Sequence, residues 1–278
     1  MRTGTGVKEK RRLDLLLVER GLAPSREKAR ALVMAGQVYT EEERLDKPGH
    51  PCAPDLALTV RGGPPPYVSR GGLKLARAAA VFALDFRGAV VADLGASTGG
   101  FTDCALQNGA SRVYAVDVGY GQLDWRLRQD ERVRCLERTN ARYLTEDSLG
   151  EKIDIALCDL SFISVTKILP ALRRVLREDG QAVILIKPQF EAGRAHVGKR
   201  GVVKDPLIHA AVARSVLSAA EDEGFVVGGF TFSPLRGPEG NIEYLAWLGR
   251  GQNAARIDWD GAVAETVAAA QTLGRGNK

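Results

Sequence analysis

Cysteine and histidine are scarce in this chain of 278 residues, and neither is spaced as in a metal site. The four cysteines form no Cys-x-x-Cys pair and fall in unrelated segments, at Cys52, Cys104, Cys135 and Cys158. We interpret them as buried thiols of a reducing compartment and not as a disulfide framework. The three histidines also lack metal-ligand spacing, so we expect no bound metal.

Long apolar runs and a strong charge imbalance are missing as well. No stretch approaches the ~20 apolar residues that a membrane-spanning helix needs. The segment Leu13–Val18 follows a basic N-terminus but is too short and interrupted for the core of a signal peptide. We therefore expect a soluble, cytoplasmic protein with no stable membrane partner. The net charge of +5 permits an acidic polymer as partner without requiring one.

The chain divides into regions of different composition. Residues 1–62 predict a small, helix-rich α+β domain in which Ser25 caps the second helix. Consecutive prolines predict a stiff linker at 63–66, because they continue neither a helix nor a sheet. Residues 67–250 alternate strand and helix patterns, and the polar, Ala-rich residues 251–278 predict a C-terminal tail with at most one peripheral helix.

The alternation over residues 67–250 predicts a parallel sheet with helices on both faces. The predicted strands are Ala89–Leu94, Arg112–Asp117, Val133–Glu137, Ile153–Cys158, Ala182–Lys187, Phe225–Phe232 and Ile242–Trp247. The last two are joined by a turn too short and proline-rich for a crossover helix, so we expect them to be antiparallel. We therefore predict the fold class α/β, with a Rossmann-like seven-stranded sheet of the methyltransferase type that is preceded in the chain by a small α+β domain.

The most informative stretch is Asp93–Phe101, which joins the first predicted strand to a helix. Its spacing is Gly-x-x-x-Gly-Gly and not the dinucleotide pattern Gly-x-Gly-x-x-Gly. Such a turn suits S-adenosylmethionine, whose amino-acid end needs backbone polar groups and a carboxylate. The alternative is a turn that only closes a strand onto a helix.

An acid ends the second predicted strand. Asp117 follows Gly95 by 22 residues, close to the offset at which a Rossmann-type sheet binds a ribose diol. The alternative is that Asp117 only caps the next helix. The nearby Tyr120 and Trp125 could contact the ligand, but we expect them to pack against helices.

Four further polar residues fall where a parallel sheet places its ligands. Asp159 and Lys187 end predicted strands, Glu243 lies in the last one, and Lys74 lies on the helix that opens the domain. Ligands of open α/β sheets bind outside the carboxyl ends of the strands. Each residue alone could belong to a buried ion pair, but four together favour a catalytic site.

Two resemblances sharpen these hypotheses. The stretch Arg12–Val38 resembles the RNA-binding domain named after ribosomal protein S-four. Lys74, Asp159, Lys187 and Glu243 look like the Lys-Asp-Lys-Glu tetrad of FtsJ-type ribose 2′-O-methyltransferases. From about residue 11 to 249 the chain is similar to the TlyA family, to which the name hemolysin has also been given. The motifs that carry this similarity are Val68–Lys74, Gly95–Phe101, Asp117–Leu123, Glu137–Arg142, Asp159–Ser164 and Lys187–Glu191.

The resemblance implies an enzyme that methylates cytidine ribose 2′-hydroxyls in ribosomal RNA or ribosomal subunits, with S-adenosylmethionine as cofactor and Lys187 as general base. A lysine accepts a proton only when neutral, and burial beside a second lysine favours that form. The expected cofactor-binding residues are Asp93, Gly95, Ser97, Gly99, Gly100, Asp117 and, near the adenine, Asn140. The expected RNA-binding residues are Arg26, Lys28, Arg30, Arg70, Arg194, Lys199 and Arg200.

Three other functions compete with this one. A nicotinamide-dependent oxidoreductase is opposed by the glycine spacing. A non-catalytic RNA- or ribosome-binding factor is opposed by the intact tetrad. A membrane-active hemolysin is opposed by the lack of a spanning or strongly amphipathic segment.

Overall fold

The computed structural model describes residues 10–40, 43–61, 66–237, 239–251 and 256–273. The chain forms two compact units that divide between Pro66 and Tyr67. Most of the linker predicted at 63–66 lies outside the described residues, and so do parts of the predicted tail.

The first unit is a small α+β fold around an apolar core. Its elements are β1 (Arg11–Arg12), α1 (Leu13–Glu19), α2 (Arg26–Met34), β2 (Val38–Tyr39), β3 (Arg44–Leu45), β4 (Pro51–Cys52) and β5 (Thr59–Val60). As predicted, the Ser25 hydroxyl accepts a hydrogen bond from the Lys28 backbone N–H and begins α2. Leu13, Leu17 and Val33 are fully buried, so the two helices close over the short strands.

The second unit is built on a seven-stranded sheet. Its strands are β6 (Val90–Leu94), β7 (Arg112–Val116), β8 (Val133–Leu136), β9 (Ile153–Cys158), β10 (Leu176–Ile186), β11 (Phe225–Phe232) and β12 (Tyr244–Arg250). Their spatial order is β11-β12-β10-β9-β6-β7-β8. The strands from β10 to β8 pair in parallel, whereas β12 is antiparallel to both β10 and β11.

Helices cover both faces of this sheet. They are α3 (Gly71–Phe82), α4 (Gly100–Gln107), α5 (Trp125–Arg128), α6 (Glu146–Leu149), α7 (Leu169–Val175), α8 (Pro188–Glu191), α9 (Pro206–Asp222) and α10 (Trp259–Ala270). Neighbouring strand residues point to opposite faces, so Val91 belongs to one apolar layer and Ala92 to the other. The core is therefore two layers with the sheet between them.

The predicted fold class is confirmed, and the antiparallel final pair is confirmed with it. Two details differ from the sequence-based prediction. Glu243 does not lie within the last strand but immediately before it, because β12 begins at Tyr244. The C-terminal helix α10 is not merely peripheral, since Val263, Val267 and Ala270 are buried in the core.

We expect Val263→Asp to destabilise the second unit strongly, because an unpaired carboxylate would replace a fully buried side chain. The free energy of unfolding should fall by roughly 3 kcal/mol or more. Chemical denaturation followed by circular dichroism measures it. Ala264→Asp, on the exposed side of the same helix, is the control and should change stability little. Equal losses in the two variants would show that α10 contributes no core contact.

Candidate active site

The candidate site lies at the carboxyl edge of the parallel strands, where β6 and β9 are neighbours. From β6 the chain continues to β7 and β8 on one side of β6 and then crosses to β9 on the other side, so the strand order reverses here. In an open α/β sheet, such a point of reversal forms a crevice that binds ligands. The Asp159 N–H donates to the Leu94 carbonyl at 3.1 Å, which joins the two strand ends. A Cβ at Gly95 would lie 2.7 Å from the Asp159 carbonyl oxygen, and Gly95 has a φ of +86°. Both facts require glycine at this position.

The four predicted tetrad residues meet at this edge. Asp159 Oδ1 lies 2.6 Å from Lys187 Nζ, and Asp159 Oδ2 lies 3.3 Å from Lys74 Nζ. Lys74 Nζ is also 2.7 Å from Glu243 Oε2. The side chains are between 2% and 20% exposed, so the ion pairs are shielded from water. Asp159 therefore bridges two lysines, and Glu243 holds only one of them.

The charges of the tetrad stabilise one another. Burial acts to lower the pKa of Lys74, but the carboxylates of Asp159 and Glu243 outweigh it and raise the pKa above its ordinary value. Burial likewise acts to raise the pKa of Asp159, but the charges of Lys187 and Lys74 outweigh it and lower the pKa. Lys74 is thus held as a cation and Asp159 as an anion.

Lys74 reaches the edge from α3, whose start packs tightly on the start of α4. A Cβ at Gly100 would lie 2.3 Å from the Ser69 hydroxyl oxygen and 2.8 Å from the Gly72 backbone nitrogen. A Cβ at Gly72 would overlap the Tyr67 ring. Gly100 therefore lets the two helix starts touch, and Gly72 leaves room for the Tyr67 ring. The contact between the helix starts sets the position of Lys74.

Two acids flank the glycine turn. Asp93 is buried, and its Oδ2 accepts hydrogen bonds from the Thr102 N–H and hydroxyl at 2.9 and 2.7 Å. Asp93 Oδ1 is buried and has no hydrogen-bond partner within the described residues. Burial raises the pKa of Asp93 to about 7. A cation beside Oδ1 would favour the ionised form, so this oxygen suits a positively charged ligand.

Asp117 follows the end of β7 and receives two backbone N–H groups. They come from Ser97 at 2.8 Å and Gly119 at 2.7 Å. Ser97 has a φ of +48°, an uncommon conformation for a residue with a side chain. Asp117 therefore orders the glycine turn, and its remaining lone pairs can still accept hydrogen bonds from a diol.

The other predicted cofactor residues have structural roles within the protein. Gly99 leaves room for Leu123 and Leu127, whose methyl groups a Cβ would overlap. The Asn140 side chain accepts from the Arg142 N–H at 3.0 Å and begins a short 3₁₀ turn.

The packing predicted for Tyr120 and Trp125 is wrong, since they are 70% and 69% exposed. Both lie between β7 and β8, Tyr120 in the irregular connection that follows β7 and Trp125 at the start of α5. The guanidinium of Arg138 lies 4.5 Å from the centre of the Tyr120 ring.

The predicted RNA-binding residues are all exposed. In the first unit, Arg26 and Arg30 are four positions apart on α2 and share a face, whereas Lys28 points elsewhere. Arg26 is also paired with the buried Asp14 at 3.1 Å. A side-chain hydrogen bond from Arg12, helped by Arg26, lowers the pKa of Asp14 to about 2. In the second unit, Arg70 precedes α3, and Arg194, Lys199 and Arg200 follow α8.

Two residues of the site, Ser161 and Gln122, were not identified from the sequence. Lys187 Nζ donates to the Ser161 hydroxyl at 3.0 Å, and the Ser97 hydroxyl donates to Gln122 Oε1 at 3.2 Å. Both lie inside the motifs already singled out, Asp159–Ser164 and Asp117–Leu123. The motifs were the available signal, but only the fold shows which of their members contact the site.

Membrane-spanning helices and metal clusters are both missing from the described ranges. No described helix combines the length and apolar character needed to cross a membrane. Nor do the described residues bring together three or more His, Cys, Asp or Glu side chains that could hold a metal ion.

Comparison with known proteins assigns both units. Residues 67–250 match the FtsJ-like methyltransferase family, and residues 11–56 match the S4 domain. The chain is 53% identical to YqxC, a candidate rRNA methyltransferase of Bacillus subtilis, over 90% of each protein. It is 47% identical to the 16S/23S rRNA (cytidine-2′-O)-methyltransferase TlyA of Mycobacterium tuberculosis, over 85% of this chain and 89% of that one.

A solved structure is similar too. It is described as a candidate hemolysin from Streptococcus thermophilus, and it is 46% identical with a TM-score of 0.76. The match covers 97% of this chain and 98% of that one.

We expect Gly100→Ala to destabilise the second unit by about 1–3 kcal/mol, because the new methyl group would overlap Ser69 and the Gly72 backbone. Denaturant unfolding measures the change. The matched variant is Gly71→Ala at the start of α3, where the nearest atom to the new Cβ would be 3.3 Å away. Gly71→Ala should lower the free energy of unfolding clearly less than Gly100→Ala. If both substitutions lower the free energy of unfolding equally, the contact between the starts of α3 and α4 does not determine how the two helices pack.

Proposed function

The chain belongs to the TlyA group of FtsJ-like methyltransferases, and from this we propose that it methylates ribose 2′-hydroxyls of cytidines in ribosomal RNA, with S-adenosylmethionine as cofactor and Lys187 as general base. The observation that carries the proposal is the buried bridge of Asp159 between Lys187 and Lys74, directly beside the glycine turn. A ribosomal subunit as substrate would place the enzyme in the cytoplasm.

The residues around the glycine turn fit this cofactor. When bound, S-adenosylmethionine supplies an electrophilic methyl group on a sulfonium. The unpartnered Asp93 Oδ1 suits its ammonium, because a cation there compensates a buried acid. Asp117 would accept hydrogen bonds from the two ribose hydroxyls of the cofactor. The backbone around Gly95 and Ser97 would form hydrogen bonds with its amino-acid end.

The two lysines differ in their partners, and this difference supports Lys187 as the residue that takes the proton. Lys74 contacts two carboxylates, so it remains a cation. Lys187 shares one carboxylate with Lys74, and it also donates a hydrogen bond to the neutral Ser161 hydroxyl. We therefore assign the base to Lys187. Its Nζ would accept the proton of the 2′-hydroxyl as that oxygen takes the methyl group and the carbon–sulfur bond of the sulfonium breaks, which leaves a neutral thioether.

The remaining tetrad members position and polarise. Asp159 orients Lys187 by a charge-assisted hydrogen bond, and Glu243 fixes Lys74 on the other side. Alignment of the hydroxyl with the methyl carbon would supply a large share of the rate, since orientation lowers the entropic barrier.

RNA is expected on the exposed basic residues of both units. Arg70 and the three basic residues after α8 lie next to elements that carry tetrad members, so they would bind phosphates near the target ribose. Three basic residues of the first unit would add phosphate contacts: Arg26, Lys28 and Arg30. Arg26 is already paired with Asp14, so part of its charge is neutralised within the protein. Such contacts position the substrate and do not select the base.

The base role of Lys187 is tested by two replacements. Lys187→Ala should lower the methyl-transfer rate by about 10²–10⁴-fold, the usual contribution of a general base. Lys187→Arg should fail as badly, because a guanidinium stays protonated. Single-turnover transfer of labelled methyl groups to unmodified subunits, at saturating cofactor and subunit, measures both.

Lys152→Ala is the control, because Lys152 pairs with Glu146 and does not touch the tetrad. It should keep the full rate. Near-normal turnover of the Arg enzyme would exclude Lys187 as the base and leave it an electrostatic role.

The cofactor role of Asp117 is tested by Asp117→Ala. The dissociation constant for S-adenosylmethionine should rise at least tenfold, since hydrogen bonds to a charged group contribute about 1.5–3 kcal/mol. Affinity for RNA should change little. Calorimetry and filter binding measure the two affinities. Asp130→Ala, which removes an exposed pair with Arg132, is the control. Unchanged cofactor affinity in Asp117→Ala would remove this residue from the site.

A further inference from the structure

The segment between α8 and α9 has an unusual charge composition. Residues 192–204 contain Arg194, Lys199, Arg200 and Lys204 but no aspartate or glutamate. All four basic side chains are exposed, and none is seen in an ion pair with another described residue. Four uncompensated cations close together in the chain form a surface that attracts phosphate. We call residues 192–204 the basic segment.

Both ends of the basic segment are attached beside tetrad residues. Its start follows α8, which begins immediately after Lys187. Near its other end, Val203 is only 3% exposed. The Val203 N–H donates to the side-chain oxygen of Asn241 at 3.0 Å, and Asn241 lies two residues before Glu243. The segment is therefore a strap along the active-site edge.

Val203 is held from both sides by buried side chains. Besides the bond from its N–H to Asn241, its carbonyl oxygen lies 2.8 Å from His209 Nε2. A carbonyl can only accept, so Nε2 must carry the proton. His209 Nδ1 is 2.8 Å from the hydroxyl of Tyr244, the residue after Glu243. Burial lowers the pKa of His209, which agrees with a neutral ring that accepts this hydroxyl proton.

Asn241 binds the strap at a second point. Its side-chain nitrogen donates to the Gly201 carbonyl at 2.8 Å, and the Asn241 side chain is buried. The hydrogen bonds within the strap itself are short-range, such as Gly198 N–H to the Val202 carbonyl at 3.1 Å. The polar attachment to the fold thus depends on Asn241 and His209, neither of which carries a charge that could bind phosphate itself.

We propose that Asn241 and His209 are positioning residues that clamp Val203 and thereby hold the basic segment in place for the phosphate backbone of the RNA substrate. The inference rests on the proposed function and deepens it. An unclamped segment would keep its charge but would lose conformational entropy on binding, so substrate affinity would fall. The clamp touches neither the cofactor site nor the tetrad charges, so chemistry on bound substrate would continue.

The test compares Asn241→Leu with wild type in the full-length enzyme. KM for ribosomal subunits should rise about tenfold, which corresponds to the loss of one or two ordered phosphate contacts. The single-turnover rate at saturating subunit and the affinity for S-adenosylmethionine should stay within twofold. His209→Phe, which keeps a ring but removes both hydrogen bonds, should give the same pattern.

Asn108→Leu is the matched control, because Asn108 donates to the Cys104 carbonyl at the end of α4, away from the strap. It should leave KM unchanged. A lower melting temperature of Asn241→Leu with an unchanged KM would overturn the proposal in favour of a purely structural role. A lower saturating rate with unchanged KM would overturn it in favour of action through Glu243.

A double-mutant cycle isolates the route of the effect. In a background of Arg194→Ala, Lys199→Ala, Arg200→Ala and Lys204→Ala, Asn241→Leu should raise KM no further, because the clamp acts through those charges. An undiminished increase in that background would overturn the proposal.

Filter binding of subunits in the absence of cofactor repeats the same comparison of variants with an affinity that does not depend on catalysis. Asn241→Leu should weaken this binding to the same extent as it raises KM. If wild type binds subunits but transfers no methyl group, the proposed function fails while the clamp is still tested.

Discussion

The site depends on one shared carboxylate. Asp159 offers one oxygen to Lys187 and the other to Lys74, in a place largely closed to water. A buried ion that loses its partner is strongly destabilised, so each member of this bridge constrains the others. Gly95 must be glycine because the backbone of Asp159 lies against it. The glycine turn and the charged bridge are thus parts of one packed arrangement.

The reversal of one strand completes that arrangement. The parallel strands β6, β9 and β10 all end at the same edge, which brings Asp159 and Lys187 together. β12 runs antiparallel to β10, so it begins at the edge where β10 ends. Glu243, just before β12, therefore reaches Lys74 although its strand points the other way. The same reversal brings Asn241 to the edge, where it holds Val203.

The helices outside the sheet contribute position and not charge alone. Lys74 depends on the contact between the starts of α3 and α4, which requires glycine at position 100. Two of the predicted cofactor glycines, Gly99 and Gly100, are explained by packing within the protein before any ligand is considered. The glycines of this motif therefore meet a packing requirement, the close approach of neighbouring elements, in addition to the proposed approach of a ligand.

The sequence by itself determined the elements and their class. Apolar runs, glycine turns and a proline-rich connection predicted seven strands with an antiparallel final pair, because these signals are local and follow from backbone sterics. The motifs likewise marked Lys74, Asp159, Lys187 and Glu243 as candidates.

Only the tertiary structure decided which atoms meet. That Asp159 bridges both lysines, that Ser161 contacts Lys187 and that Asn241 holds Val203 depends on sheet order and strand direction. The buried C-terminal helix and the exposed Tyr120 and Trp125 were decided there too, since burial depends on what neighbouring elements cover. Residues far apart in the chain contact each other only after the sheet has assembled, so no local pattern specifies their distance.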